Sequence, residues 1–76
     1  MDSASTDLIS DFEQVCINNI ISLNISGVSN VGWTSTLPIS CTTCNNPDIT
    51  ATGNGVVTLN YTYLSCNITE TLTISV

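Results

Sequence analysis

Three runs in this chain alternate apolar and polar residues with a period of two. They are Ile21, Leu23, Ile25; then Val57, Leu59, Tyr61, Tyr63; then Leu72, Ile74, Val76. A period of two marks strands that bury one face, because successive side chains on a strand point to opposite sides. No stretch shows helical periodicity over a useful length. Shorter segments fill the gaps: an edge strand around residues 8–14, a strand over 31–35 carrying Trp33, and a β-branched segment over 48–52. Gly27 with Ser29-Asn30, Gly53-Asn54-Gly55 and Ser65-Cys66-Asn67 read as turns between them. Pro38 and Pro47 bracket an irregular loop, because proline cannot donate to a sheet ladder. Short strands with frequent turns predict an all-β, antiparallel sandwich. Its expected core is Ile21, Leu23, Ile25, Trp33, Tyr61, Tyr63, Leu72 and Ile74.

The chain has 76 residues, which sets a ceiling of one domain. A core of that size leaves little stability margin, so covalent staples are expected. The chain carries no Lys, Arg or His, and its formal charge is −6. Phosphate contacts need cations that displace counterions, which argues against nucleic acid as a partner. Attraction to an anionic membrane surface fails for the same reason. No apolar run approaches the roughly 20 residues of a spanning helix, so no membrane insertion is expected. The start lacks the basic and apolar regions of a signal peptide, so a secreted form would be cut from a longer precursor. Asp2, Asp7, Asp11 and Glu13 hold most of the acidic total. Residues 1–14 read as an acidic linker and first edge strand, and residues 15–76 as the sandwich. A calcium site near Asp2 to Glu13 is the sharper alternative, since hard cations want several oxygen ligands. No Asp-x-Asp-x-Asp spacing supports it.

Four cysteines permit three pairings. Cys41 and Cys44 are close enough to close a small ring. Sequence alone does not choose among the pairings, but counting reversals from strand to strand, Cys16 and Cys66 can fall at the same end of a sandwich. The expected pairs are therefore Cys16–Cys66 and Cys41–Cys44, with no free thiol. The larger loop would stabilise the domain by about 4 kcal/mol on a chain-entropy estimate. Two other readings weigh against this one. Cys41-Thr42-Thr43-Cys44 as a redox pair would need a helix start to lower a thiol pKa. All four cysteines as zinc ligands would ordinarily come as two close pairs.

The order of these features resembles one kind of repeat. Val15-Cys16, the strand through Ile21 to Ser26, Gly32-Trp33-Thr34, Cys41-Thr42-Thr43-Cys44-Asn45-Asn46-Pro47, Tyr61-Thr62-Tyr63, Cys66 and Glu70-Thr71-Leu72-Thr73-Ile74-Ser75-Val76 are similar to the PKD/immunoglobulin-like repeats of very large surface proteins in Bacteroidetes, including gliding-motility adhesins. The resemblance covers roughly residues 15–76. It implies an immunoglobulin-like or PKD-like β-sandwich in a tandem array, exported to the cell surface and carrying disulfides. It implies no enzyme and no cofactor. The partners it implies are neighbouring repeats of the same chain, with surface polysaccharide as a further candidate. The chain departs from the pattern at Ile17, where Pro or Gly follows the first Cys in such repeats, and at Ser65, where Gly precedes the last Cys. Leu64 also stands where antibody domains place a tyrosine two residues before the second Cys.

Few residues invite a chemical role. Trp33 could stack on a sugar, but a lone Trp on a central strand is more often core. Asn24-Ile25-Ser26, Asn60-Tyr61-Thr62 and Asn67-Ile68-Thr69 match the N-glycosylation pattern, as an Asn- and Thr-rich chain will by chance. Asp48 and Glu70 are the only acids beyond residue 13. Two carboxylates could serve a glycosidase, but nothing in the sequence places them in one cleft. The expected function is a non-catalytic adhesin repeat, a rigid spacer or adhesion module. The alternative is a carbohydrate- or protein-binding module using the loop between Pro38 and Pro47.

Overall fold

A computed structural model describes residues 8, 9 and 11–76. Six strands form in chain order: β1 (Phe12–Gln14), β2 (Ile20–Ser22), β3 (Ser29–Ser35), β4 (Asp48–Thr50), β5 (Gly55–Tyr63) and β6 (Cys66–Ser75). They make a four-stranded sheet in the order β1-β6-β5-β3 and a two-stranded sheet of β2 and β4. The fold is all-β, and the two sheets pack as a sandwich around one core. Asp2 and Asp7, and with them most of the expected linker and calcium alternative, lie outside the described residues.

The alternation explains which face is buried. Along β5, Val57, Leu59 and Tyr61 turn inward, and along β6, Leu72 and Ile74 do the same. Trp33 on β3 stands opposite Leu59 on β5. The small sheet contributes Ile21 and Ile49, which pair directly across β2 and β4. Ile9, Ile25, Leu37 and Ala51 complete the core, with Leu23 and Tyr63 packed against it half-buried. Each fully buried aliphatic side chain contributes about 1.5–3 kcal/mol. The outer face of the large sheet is polar and registered in rows: Thr34, Thr58 and Thr71, then Gly32, Asn60 and Thr69, then Thr62 and Asn67.

Three features differ from the sequence-based expectation. The strand anticipated over residues 18–26 pairs as regular strand only through Ile20–Ser22. Beyond Ser22 the facing backbone is Pro47 and the loop before it. Leu23 N–H donates to the Pro47 carbonyl at 3.0 Å and Ile25 N–H to the Asn45 carbonyl at 2.8 Å. Pro47 has no N–H to return the bond, so the ladder becomes one-sided. The last hairpin turns at Leu64-Ser65 rather than at Ser65-Cys66-Asn67, and Cys66 opens β6 opposite Tyr63. Finally, β1 runs parallel to β6, not antiparallel.

That parallel pairing overturns the Cys16–Cys66 disulfide. Gln14 stands opposite Ser75, so Cys16 lies beyond the C-terminal end of β6, whereas Cys66 begins it. Nine strand rises separate the two ends of β6, about 30 Å. A disulfide needs Cα atoms roughly 4.4–6.8 Å apart. Cys16 and Cys66 are both exposed free thiols. Cys41 and Cys44 are bonded to each other. The reversal count failed because it assumed that every neighbouring strand pair is antiparallel.

Candidate functional site

The loop 38–47 is the largest irregular feature of the described chain, and its backbone is tied down along most of its length. Thr50 N–H donates to the Pro38 carbonyl at 3.0 Å, and Ser40 N–H to the Asp48 carbonyl at 2.9 Å. Asp48 N–H donates to Ser40 Oγ at 2.8 Å, and Ile39 bridges Ile49. The loop then crosses to the large sheet, where Trp33 N–H donates to the Thr42 carbonyl at 2.8 Å. The indole of Trp33 holds the next turn, its Nε1–H donating to the Cys44 carbonyl at 2.7 Å. Trp33 is only 4% exposed, so its polar tip is satisfied as burial requires. The Cys41–Cys44 bond closes this turn, worth about 2 kcal/mol for a four-residue ring on the chain-entropy estimate. Trp33 is thus a core residue that anchors a clipped loop, and its ring is not presented to a ligand.

Cys41 and Cys44 sit among bends with no helix after them, so the thiol-activating helix start of a redox pair is missing. Cys16 and Cys66 stand too far apart for the four cysteines to share one zinc. Asp48 lines a shallow cavity of about 350 Å³ with Ile20, Pro38, Ile39, Ser40 and Thr50. Glu70 is elsewhere, so the two acids do not form a cleft pair.

Glu70 instead holds the incoming chain. It lies on the inward face of β6, in step with Leu72 and Ile74. Its carboxylate accepts Leu8 N–H at 3.1 Å and Ile9 N–H at 3.2 Å. It also accepts the hydroxyl of the buried Tyr61. With no Lys, Arg or His in the chain, hydrogen-bond donors do the work that a salt-bridging side chain does in other proteins. Sequence reading treated Glu70 only as a possible catalytic acid. The signal for its real place was its parity with Leu72 and Ile74.

A second cavity, about 310 Å³, lies on the outer face of the large sheet, lined by Asn30, Asn60, Tyr61, Thr62, Asn67, Ile68 and Thr69. Two of the N-glycosylation matches meet here. Asn60 stands opposite Thr69, and Thr62 opposite Asn67. Each threonine hydroxyl serves the asparagine of the other match: Thr69 Oγ1–H donates to Asn60 Oδ1 at 2.7 Å, and Thr62 Oγ1–H to Asn67 Oδ1 at 3.1 Å. Among the described residues, no group of three or more His, Cys, Asp or Glu converges as metal ligands would.

No protein-family model, curated protein or solved structure matches this chain.

Proposed function

We propose that this domain is an immunoglobulin-like or PKD-like repeat of a long secreted cell-surface adhesin, non-catalytic, acting as a rigid spacer. The observation that carries the proposal is the parallel pairing of β1 with β6. Both strands run from the Cys66 end of the sheet toward the Val76 end. β1 itself pairs near the Val76 end, but Leu8 and Ile9 ahead of it lie back at Glu70, so the entering and leaving strands point the same way along the sheet, as stacking of repeats end to end requires. Tension along that axis loads the β1–β6 bonds in shear. They include Thr73 N–H to the Asp11 carbonyl at 2.9 Å and Val15 N–H to the Ser75 carbonyl at 3.0 Å. In shear these bonds must fail together rather than one after another.

The strand arrangement supports the immunoglobulin-like part of the reading. A constant-type immunoglobulin sandwich sets its third, sixth and seventh strands against a sheet containing its second and fifth, with a buried Trp on the third. Here β3, β5 and β6 face β2 and β4, and Trp33 is buried on β3. The test is single-molecule pulling on concatenated copies. The wild-type domain should unfold in one step at a force well above that of Val15→Pro, which lacks one shear-loaded donor. Equal forces for the two would remove the mechanical basis of the spacer reading.

A second reading, ligand binding at the loop between Pro38 and Pro47, is favoured by the cavity lined by Ile20, Pro38, Ile39 and Asp48. It predicts that Ile20→Ser abolishes ligand capture without changing the unfolding force.

A further inference from the structure

We propose that the cavity around Asn60 and Asn67, on the outer face of the large sheet, is a binding subsite for a neutral oligosaccharide. The inference is independent of the spacer reading, since it uses a different face and a different readout.

The hydrogen-bond directions fix what this surface offers. Asn30 Nδ2–H donates to Thr62 Oγ1 at 3.2 Å, so the Thr62 hydroxyl hydrogen is committed to Asn67 Oδ1 at 3.1 Å. Thr69 likewise commits its hydrogen to Asn60 Oδ1 at 2.7 Å. Each of the two asparagine oxygens thus accepts one bond from within and keeps one lone pair, and each Nδ2 keeps two N–H donors for solvent or ligand. Asn30 keeps its Oδ1 as an acceptor. Asn60 and Asn67 are diagonal neighbours on paired strands, so their backbones stand about 7–8 Å apart and both side chains project from the same face. The network holds them in one orientation before any ligand arrives, which lowers the ordering cost of binding.

The chemistry of the surroundings selects the ligand class. Sulfated, phosphorylated or uronic ligands are bound by cationic side chains, and the chain has no Lys, Arg or His. A cationic ligand needs carboxylates, and no Asp or Glu lines the cavity. A peptide strand adds to a sheet edge, whereas this cavity lies over the face of paired β5 and β6. Uncharged hydroxyl and acetamido groups remain, and they match fixed amide donors with a nearby amide acceptor. The cavity lies at the small end of the range for ligand sites, and Tyr61, the aromatic residue in its lining, is only 2% exposed and offers no ring face for stacking. Affinity on the order of millimolar is expected.

The experiment is a titration of the ¹⁵N-labelled full chain with neutral oligosaccharides of hexose and N-acetylhexosamine units, with an oligouronate as the anionic arm. The side-chain NH2 signals of Asn60 and Asn67 should shift and saturate with at least one neutral sugar and stay still with the oligouronate. Asn60→Ala combined with Asn67→Ala should weaken binding at least tenfold. Asn60→Asp, which keeps the shape but replaces donors with a carboxylate, should do the same if the double variant fails to fold. Three results overturn the proposal: no shift of either amide up to about 50 mM sugar, shifts confined to residues 38–47, or an equal response to the oligouronate.

Discussion

At the scale of single residues, Glu70 and Gly55 show how much a small sandwich rests on particular contacts. Among the described residues, the groups hydrogen-bonded to the Glu70 carboxylate are all donors: Leu8 N–H, Ile9 N–H and the Tyr61 hydroxyl. Hydrogen bonds to a charged acceptor are worth about 1.5–3 kcal/mol. Glu70→Gln turns one acceptor atom into a donor facing donors. It should cost about 1–3 kcal/mol in denaturant unfolding, with the Leu8 and Ile9 amides losing hydrogen-exchange protection first. Gly55 makes a different demand. A Cβ built there would lie 2.5 Å from Leu37 Cγ and 2.6 Å from Thr36 Oγ1. Leu37 is buried and Thr36 is bonded to Val56, its Oγ1 accepting Val56 N–H at 2.9 Å, so neither gives way freely. Gly55→Ala should destabilise by about 1–3 kcal/mol through overpacking, measured as a lower denaturant midpoint with an unchanged slope. In the sequence Gly55 looked like a turn residue; its necessity comes from a neighbour some twenty residues away, which no local pattern reveals.

At the scale of elements, the β5–β6 hairpin carries a correctable strain. Its two-residue turn places Leu64 at φ 50° and Ser65 at φ 67°. Both values suit the mirror-image turn that a right-twisted hairpin prefers, and that turn favours Asn-Gly. Leu64 is also 79% exposed, so little packing holds it there. Replacing Leu64-Ser65 with Asn-Gly should raise stability by about 1–3 kcal/mol, read from the unfolding midpoint; a lower midpoint would mean that Leu64 has an unseen contact. The same turn shows what was legible in the sequence. The alternation identified the strands and their buried faces, because each has one face in the core. The turn position was misread because Leu64-Ser65 lacks the Gly or Asn signal, while Ser65-Cys66-Asn67 looks like one. Yet a three-residue turn would have set Asn60 opposite Leu72, an outward residue against an inward one, and directly opposed residues share a face. Alternation thus excluded the three-residue turn and left the observed register, with its crossed Asn–Thr pairs, among the few that keep both apolar faces inward. The direction of β1 was not legible, because a three-residue edge strand reads the same whether it lies parallel or antiparallel.

At the scale of the whole molecule, that direction decides the cysteine chemistry. Cys41 and Cys44 form a closed ring within one loop, while Cys16 and Cys66 stand exposed at opposite ends of the large sheet. About 30 Å of paired strand lies between them, and no side-chain motion closes that gap. Folded, monomeric protein should therefore titrate two thiols per chain, rising to four after reduction and unfolding. Cys16→Ser should leave stability unchanged, whereas Cys41→Ser should cost about 2 kcal/mol. Oxidation adds a sharper test. When a mild oxidant takes two electrons and two protons from a thiol pair, each new disulfide must join separate chains. A chain with one thiol at each pole can extend in both directions, so a non-reducing gel should show a ladder beyond the dimer. Cys16→Ser or Cys66→Ser leaves one thiol per chain, and the ladder should then stop at the dimer. The net charge of −6 opposes the approach of copies, so added salt should speed the cross-linking by screening it. A peptide map of the folded monomer that finds Cys16 joined to Cys66 would show that β1 does not run parallel to β6. The end-to-end geometry on which the spacer reading depends would fall with it.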